Sequence, residues 1–151
     1  MKGPPRSGLH QTVLFNVRES TITVSIARPL TQVFATVALD GSGNGIAQGG
    51  PTRPREHWQL VAAAVKTNQP ARNSGQPGAV VNEASCEVYV GGAISPATFV
   101  ARTITGSSGD TCGLGNQDIQ SGMQVFAKWQ GGDPGVTATV TLFGTYTFGP
   151  P

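Results

Sequence analysis

The chain has 151 residues and a net charge of +2, with 12% charged residues, 38% hydrophobic residues, 21 glycines and 11 prolines. That length suits one domain with a core of its own, and a surplus of Gly, Pro, Thr and Val is the composition of many short strands joined by turns rather than of a disordered chain. Arg6, Arg18, Arg28, Arg53, Arg55, Lys66, Arg72, Arg102 and Lys128 never form a run, and no stretch approaches the roughly 18 apolar residues of a membrane span, so neither nucleic acid nor a membrane is an expected partner.

Residues 1–11 are polar and rich in Pro and Gly and read as an extended N-terminal arm, while residues 12–149 read as a single β-sandwich domain. Met1-Lys2-Gly3-Pro4-Pro5 lacks the apolar stretch of a secretion signal, so assembly in a cytoplasm is expected. Pro4, Pro5 and Arg6 are candidate partner contacts. Proline limits the entropy lost when an arm docks, and an extended arm can add main-chain hydrogen bonds at a neighbour's sheet edge.

From Thr12 the pattern alternates with period two. The runs 12–17, 21–27 and 31–39 read as strands, with Ile22, Val24 and Ile26 on one face of the second and Val33, Ala35, Val37 and Leu39 on one face of the third. Residues 40–55 (DGSGNGIAQGGPTRPR) read as a long loop, with Arg53 and Arg55 as further candidate partner contacts. In His57 to Lys66, Trp58, Leu60, Ala62 and Ala64 alternate against Gln59, Val61, Ala63 and Val65. With both faces apolar, a central strand or a short helix fits, and the flanking Pro54 and Pro70 favour strand. A second polar loop covers 67–83. Strands follow at 85–90, 98–105 and 123–130, separated by GGAISPA and by a Gly/Ser-rich loop over 106–122.

The sharpest local signal is the turn Gly131-Gly132-Asp133-Pro134-Gly135, with Pro and Gly at its two central positions, which predicts a closing hairpin. Beyond it Val136, Ala138, Val140 and Leu142 alternate with Thr137, Thr139 and Thr141, core against water. Seven or eight strands with no helical pattern between them predict an all-β fold: one antiparallel β-sandwich, jelly-roll-like or another Greek key, with an N-terminal arm.

No residue pattern supports catalysis or a cofactor. Glu83 and Glu87 are near in sequence, but Glu87 alternates onto the face opposite Cys86 and Val88 and reads as a solvated strand residue. His10 and His57 have neither a serine in a nucleophile-elbow context nor a Cys-His signature, and with Cys86 and Cys112 they lack the paired spacings of a structural zinc site. Asp40-Gly-Ser42-Gly-Asn44-Gly45 matches the first half of an EF-hand loop, but Pro51 stands where the bidentate Glu belongs, so it reads as a turn. The glycines at 106, 109, 113 and 115 are not followed by GK[ST] and form no phosphate cradle. Cys86 and Cys112 are expected as free thiols in a reducing compartment; a bridge between them would close a loop of about 25 residues, worth roughly 3 kcal/mol. Trp58 and Tyr89 are the candidate ligand-stacking aromatics, although Trp58 shares a face with Leu60, and Trp129 one with Met123 and Val125, as core residues do.

The segments HWQLVAAAVKT, SCEVYVGG and IQSGMQVFAKWQGGDPGVTATVTLFGTY, with a Gly/Asp loop between the last two, resemble small β-sandwich virion proteins of tailed phages infecting actinobacteria, over about residues 57–148. The shared features are a Trp-bearing strand, a "VYVGG" strand and a final "W-x-GG-x-PG-x-x-A-x-V-x-x-x-G" hairpin. The resemblance implies a structural role in the virion, as a capsid decoration or minor capsid protein bound to the particle surface as a homo-oligomer, with major capsid or tail proteins as partners. The alternative is a minor tail protein or a receptor- or carbohydrate-binding module. It brings no catalytic residue to this chain.

Overall fold

The computed structural model describes residues 11–15, 20–24 and 27–149. They form β1 (Gln11–Phe15), β2 (Ser20–Val24), β3 (Arg28–Ala38), β4 (Gly45–Gly49), β5 (Glu56–Thr67), β6 (Ser85–Gly91), β7 (Phe99–Thr103), β8 (Asp110–Ile119), β9 (Gln124–Gln130) and β10 (Thr137–Phe148), with one 3-10 turn at Pro96–Thr98. The fold is all-β, as the alternation predicts. The expected arm lies outside the described residues except for Gln11, which opens β1. β1 and β2 pair with each other as a separate two-stranded sheet.

The other eight strands form two antiparallel sheets, ordered β3-β10-β5-β8 and β4-β9-β6-β7. Of the connections from β3 to β10, only that between β6 and β7 is a hairpin; every other one carries the chain from one sheet to the other. This double Greek key is the jelly roll. The two inner faces meet in one core. Leu60, Ala138, Val140 and Leu142 from the first sheet and Val88, Val125 and Trp129 from the second are fully buried, each of the larger side chains contributing ~1.5–3 kcal/mol.

The final strand follows the expected register, with Ala138, Val140 and Leu142 inward and Thr137, Thr139 and Thr141 outward. The expected hairpin before it is not one: β9 belongs to the second sheet and β10 to the first. Residues around the 131–135 turn bond instead to the chain between β3 and β4, through Gly135 N to Leu39 O (2.9 Å), Leu39 N to Val136 O (2.8 Å) and Gly132 N to Gly43 O (3.0 Å). A Pro-Gly turn specifies a reversal of direction; which strand then becomes the partner is settled by distant residues.

Two expected loops contain strands. Within 40–55, β4 pairs with β9 even though it begins and ends in glycine. Those glycines let the edges of the two sheets approach: a Cβ on Gly45 would lie 2.9 Å from Leu39 Cδ2, and one on Gly49 2.4 Å from Phe34 Cζ. Within 106–122, β8 pairs with β5 and buries Cys112, Leu114 and Ile119. Its pattern is broken by Gly115 (φ 69°) and Asn116 (φ 61°), where the pairing slips from Ala62–Gly113 to Leu60–Gln117.

β5 is the central strand expected, between β10 and β8, with its alternation interrupted. Trp58 and Leu60 face the core, then Ala63 and Val65 do so in place of Ala62 and Ala64. Val61 is the cause: neither neighbouring strand pairs with it, and it bulges outward into solvent. Gly144 of β10 accommodates the bulge, since a Cβ there would lie 1.9 Å from Gln59 O. The apolar residues on both faces of this strand therefore record a switch of phase, not burial on two sides.

Candidate functional site

Arg53-Pro54-Arg55-Glu56 closes a tight turn through Glu56 N to Arg53 O at 3.2 Å. Proline at the first central position and a left-handed Arg55 (φ 64°) at the second are the requirements of a type II turn. The turn puts the side chains of Arg53 and Glu56 side by side just as β5 begins. The C-terminal end of β10 is tied to the same place by Gly149 N donating to Arg55 O (2.6 Å).

Glu56 is a buried acid, 5% exposed, and its carboxylate is fully engaged. Trp58 Nε1 donates to Oε2 at 3.0 Å, Arg53 donates through its Nε and a terminal nitrogen at 3.4 and 3.2 Å, and the Arg53 amide donates to Oε1. Burial pushes the Glu56 carboxyl up, but the bonds from Trp58 and Arg53, with the Arg53 charge, outweigh it and hold the group below its ordinary value. The Arg53 guanidinium also lies 4.6 Å over the Phe148 ring and 5.9 Å from that of Tyr146.

Beside this cluster opens a groove of about 570 Å³, within the range of roughly 300–1,000 Å³ typical of small-ligand sites. Its apolar wall is made by Leu30, Phe34 and Trp58, with the Phe34 and Trp58 rings edge to face at 5.5 Å. Its polar side carries Thr52, Arg53, Gln124 and Tyr146. Five separate elements supply these residues, and the turn at 53–56 and the start of β9 bring their polar groups together at one end of the sandwich.

Of the residues singled out from sequence, Arg53 and Trp58 meet in this groove. Arg55 is exposed in the turn beside it. Tyr89 is elsewhere, on the second sheet: it is 7% exposed, packs edge to face on Phe99 and donates its hydroxyl to Glu87 at 2.6 Å. Neither Trp58, 4% exposed, nor Tyr89 presents an open ring face. Pro4, Pro5 and Arg6 lie outside the described residues. In the Asp40–Gly45 segment, Asp40 Oδ1 accepts from the amides of Ser42 (2.8 Å) and Asn44 (3.0 Å), the bonding of a turn. Cys86 and Cys112 are buried free thiols, and burial pushes both thiol groups up.

Three acids organise the structure through bonds that their places in the sequence do not show. Glu56 lay beside Arg53 and Trp58 in sequence, and the RPRE turn was the signal that joined them. At the opposite end, Asp133 accepts from the amides of Val81 and Asn82 (2.8 and 2.9 Å) and from the side chains of Gln69 and Asn82 (2.8 and 3.0 Å), which pins the 67–83 loop to the 131–135 turn. Glu83 accepts from the amides of Ser107 and Ser108 at 2.9 and 2.7 Å and so holds the connection between β7 and β8. Trp129 Nε1, donating to Gly106 O at 3.1 Å, anchors that connection from within the core.

Among the described residues no group of three or more His, Cys, Asp or Glu side chains is placed to hold a metal ion. No protein-family model matches this chain, and no curated protein or solved structure is significantly similar to it.

Proposed function

We propose that this chain is a structural virion protein of a tailed bacteriophage, a capsid decoration or minor capsid protein that sits on the particle surface as a homo-oligomer. The observation that carries the reading is where the resemblance falls. Residues 57–148, which resemble phage virion proteins, supply strands β5 to β10, six of the eight strands of the jelly roll. Viral capsid domains are among the proteins that use this architecture; the fold serves other functions too, so the residue pattern carries the argument and the fold supports it. The burial of Trp58 and Tyr89 also favours a structural role over sugar stacking by those two rings.

Cryo-electron microscopy of purified particles tests the reading. Ordered density for the protein on the head is expected; absence from purified particles overturns the proposal, and density on the tail replaces decoration with a tail role. A chain lacking residues 2–9 should fold normally yet load poorly onto particles, since the arm is proposed to dock on a neighbour.

A further inference from the structure

We infer that the groove at the Arg53 end is a binding site for a neutral saccharide unit, a role separate from attachment to a particle. The fold leaves several polar groups at this end without a protein partner. Among the described residues the Thr52 hydroxyl, the Gln124 amide and the Tyr146 hydroxyl have no hydrogen-bond partner, and all three line the groove. The Arg53 guanidinium, whose side chain is 60% exposed, uses Nε and one terminal nitrogen on Glu56 and keeps further N–H groups for a ligand. Donors and acceptors of both kinds therefore converge within one cavity.

The apolar part of the lining is the half-buried Phe34 with the buried Leu30 and Trp58. A pyranose has the matching character, with hydroxyls around its rim and C–H groups on its faces. Charge decides against an acidic or basic ligand. Arg53 and Glu56 neutralise each other at 3.2 Å, so an anion would meet a cation already paired and a cation a carboxylate already surrounded by donors. A neutral ligand loses nothing to that pair and can accept hydrogen bonds from the Arg53 groups that remain. The rigid floor lowers the ordering cost of binding: Glu56 is fixed by Trp58 Nε1, and Arg53 is held against the Phe148 ring.

The test uses the purified full chain with D-glucose, D-galactose, D-mannose, N-acetylglucosamine and their disaccharides as probes, with glucuronate and glucosamine as charged controls. Saturation-transfer NMR reads contact, and titration of amide shifts reads affinity, up to about tenfold above a ~1 mM Kd. At least one neutral probe should bind and shift the amides of Thr52, Gln124 and Tyr146. Gln124→Ala and Tyr146→Phe each remove one proposed hydrogen bond and should weaken binding about three- to tenfold. Each should keep the parent melting temperature, because neither group bonds within the protein. The inference is overturned if no neutral probe binds, if the charged controls bind better than any neutral one, or if both variants bind as the parent does.

Discussion

At one end of the sandwich the carboxylates of Glu83 and Asp133 accept from backbone amides of neighbouring loops, whereas at the other the Glu56 carboxylate accepts from an arginine and an indole. The first arrangement closes its end: each acid satisfies the main chain of a loop that has no strand partner, so a connection as long as 67–83 is held down without secondary structure. The second arrangement leaves its end open. Glu56 orients Arg53 and Trp58 but bonds none of the side chains of Thr52, Gln124 or Tyr146, and these face a groove. Similar acids thus do opposite work according to what donates to them. A carboxylate on backbone amides consumes the loop's hydrogen-bonding capacity, while one on a guanidinium still leaves N–H groups pointing outward.

The strongest perturbation removes what both ends share. Val140 is fully buried between the sheets, and Val140→Asp places a charge there without a partner, at a cost of several kcal/mol. Loss of the cooperative melting transition is expected; a transition near the parent temperature shows that this register of β10 is wrong.

Separating the ends takes Glu56→Ala and Asp133→Ala. The first strands the Trp58 indole N–H in a buried site and frees Arg53, and should cost about 2–3 kcal/mol. The second removes bonds at a half-exposed site where water can replace them, and should cost about 1–2 kcal/mol. Hydrogen exchange separates the two: Asp133→Ala should speed exchange at Val81 and Asn82 and leave the Trp58 indole unchanged, and Glu56→Ala should do the reverse. Equal effects at both ends in either variant would mean that the ends are coupled through the core.

Acid acts on both ends together. Burial raises the Asp133 carboxyl, but the bonds from Gln69, Val81 and Asn82 outweigh it and hold the group below its ordinary 3.8, just as Glu56 is held below 4.5. Both are depressed in the folded state, so their contribution is fully present above the ordinary carboxylate range and is lost as pH falls through the folded-state values. Urea midpoints should therefore be flat near neutrality and fall below about pH 4, and the gap between the parent and Asp133→Asn should narrow over the same interval. A gap that stays constant down to pH 2 would falsify the assignment of that loss to Asp133.

The smallest effect expected is at the cysteines, which belong to neither end. Burial raises both thiols and so suppresses the reactive thiolate. Iodoacetamide should modify Cys86 and Cys112 slowly in the native protein and readily in urea; fast native labelling of Cys86 shows that the core opens locally.

Much of the fold was legible from residue order because alternation is a local property. Val136 to Leu142 displays its inward and outward faces in seven residues, and the strands at 85–90 and 123–130 were found for the same reason. β4 and β8 were hidden because their glycines, which read as loop, serve close approach between sheet edges in one case and a left-handed break in the other. For the groove, Arg53 and Trp58 were each visible as a residue type, one as an exposed cation and the other as a large aromatic, with nothing in the order of residues to show that Gln124 and Tyr146 would join them.

What the sequence by itself determined was the set of strands with strong alternation, the direction each faces and the places where the chain turns, since these follow from φ/ψ preference and period-two burial within a few residues. Only the tertiary structure decided that the Gly131–Gly135 turn crosses between sheets, that Val61 bulges to reverse the phase of β5, and that Glu56, Gln124 and Tyr146 meet across three strands. Sheet order, bulges and convergent side chains depend on which distant strands bury each other's apolar faces, and that is a property of the whole core rather than of any segment in it.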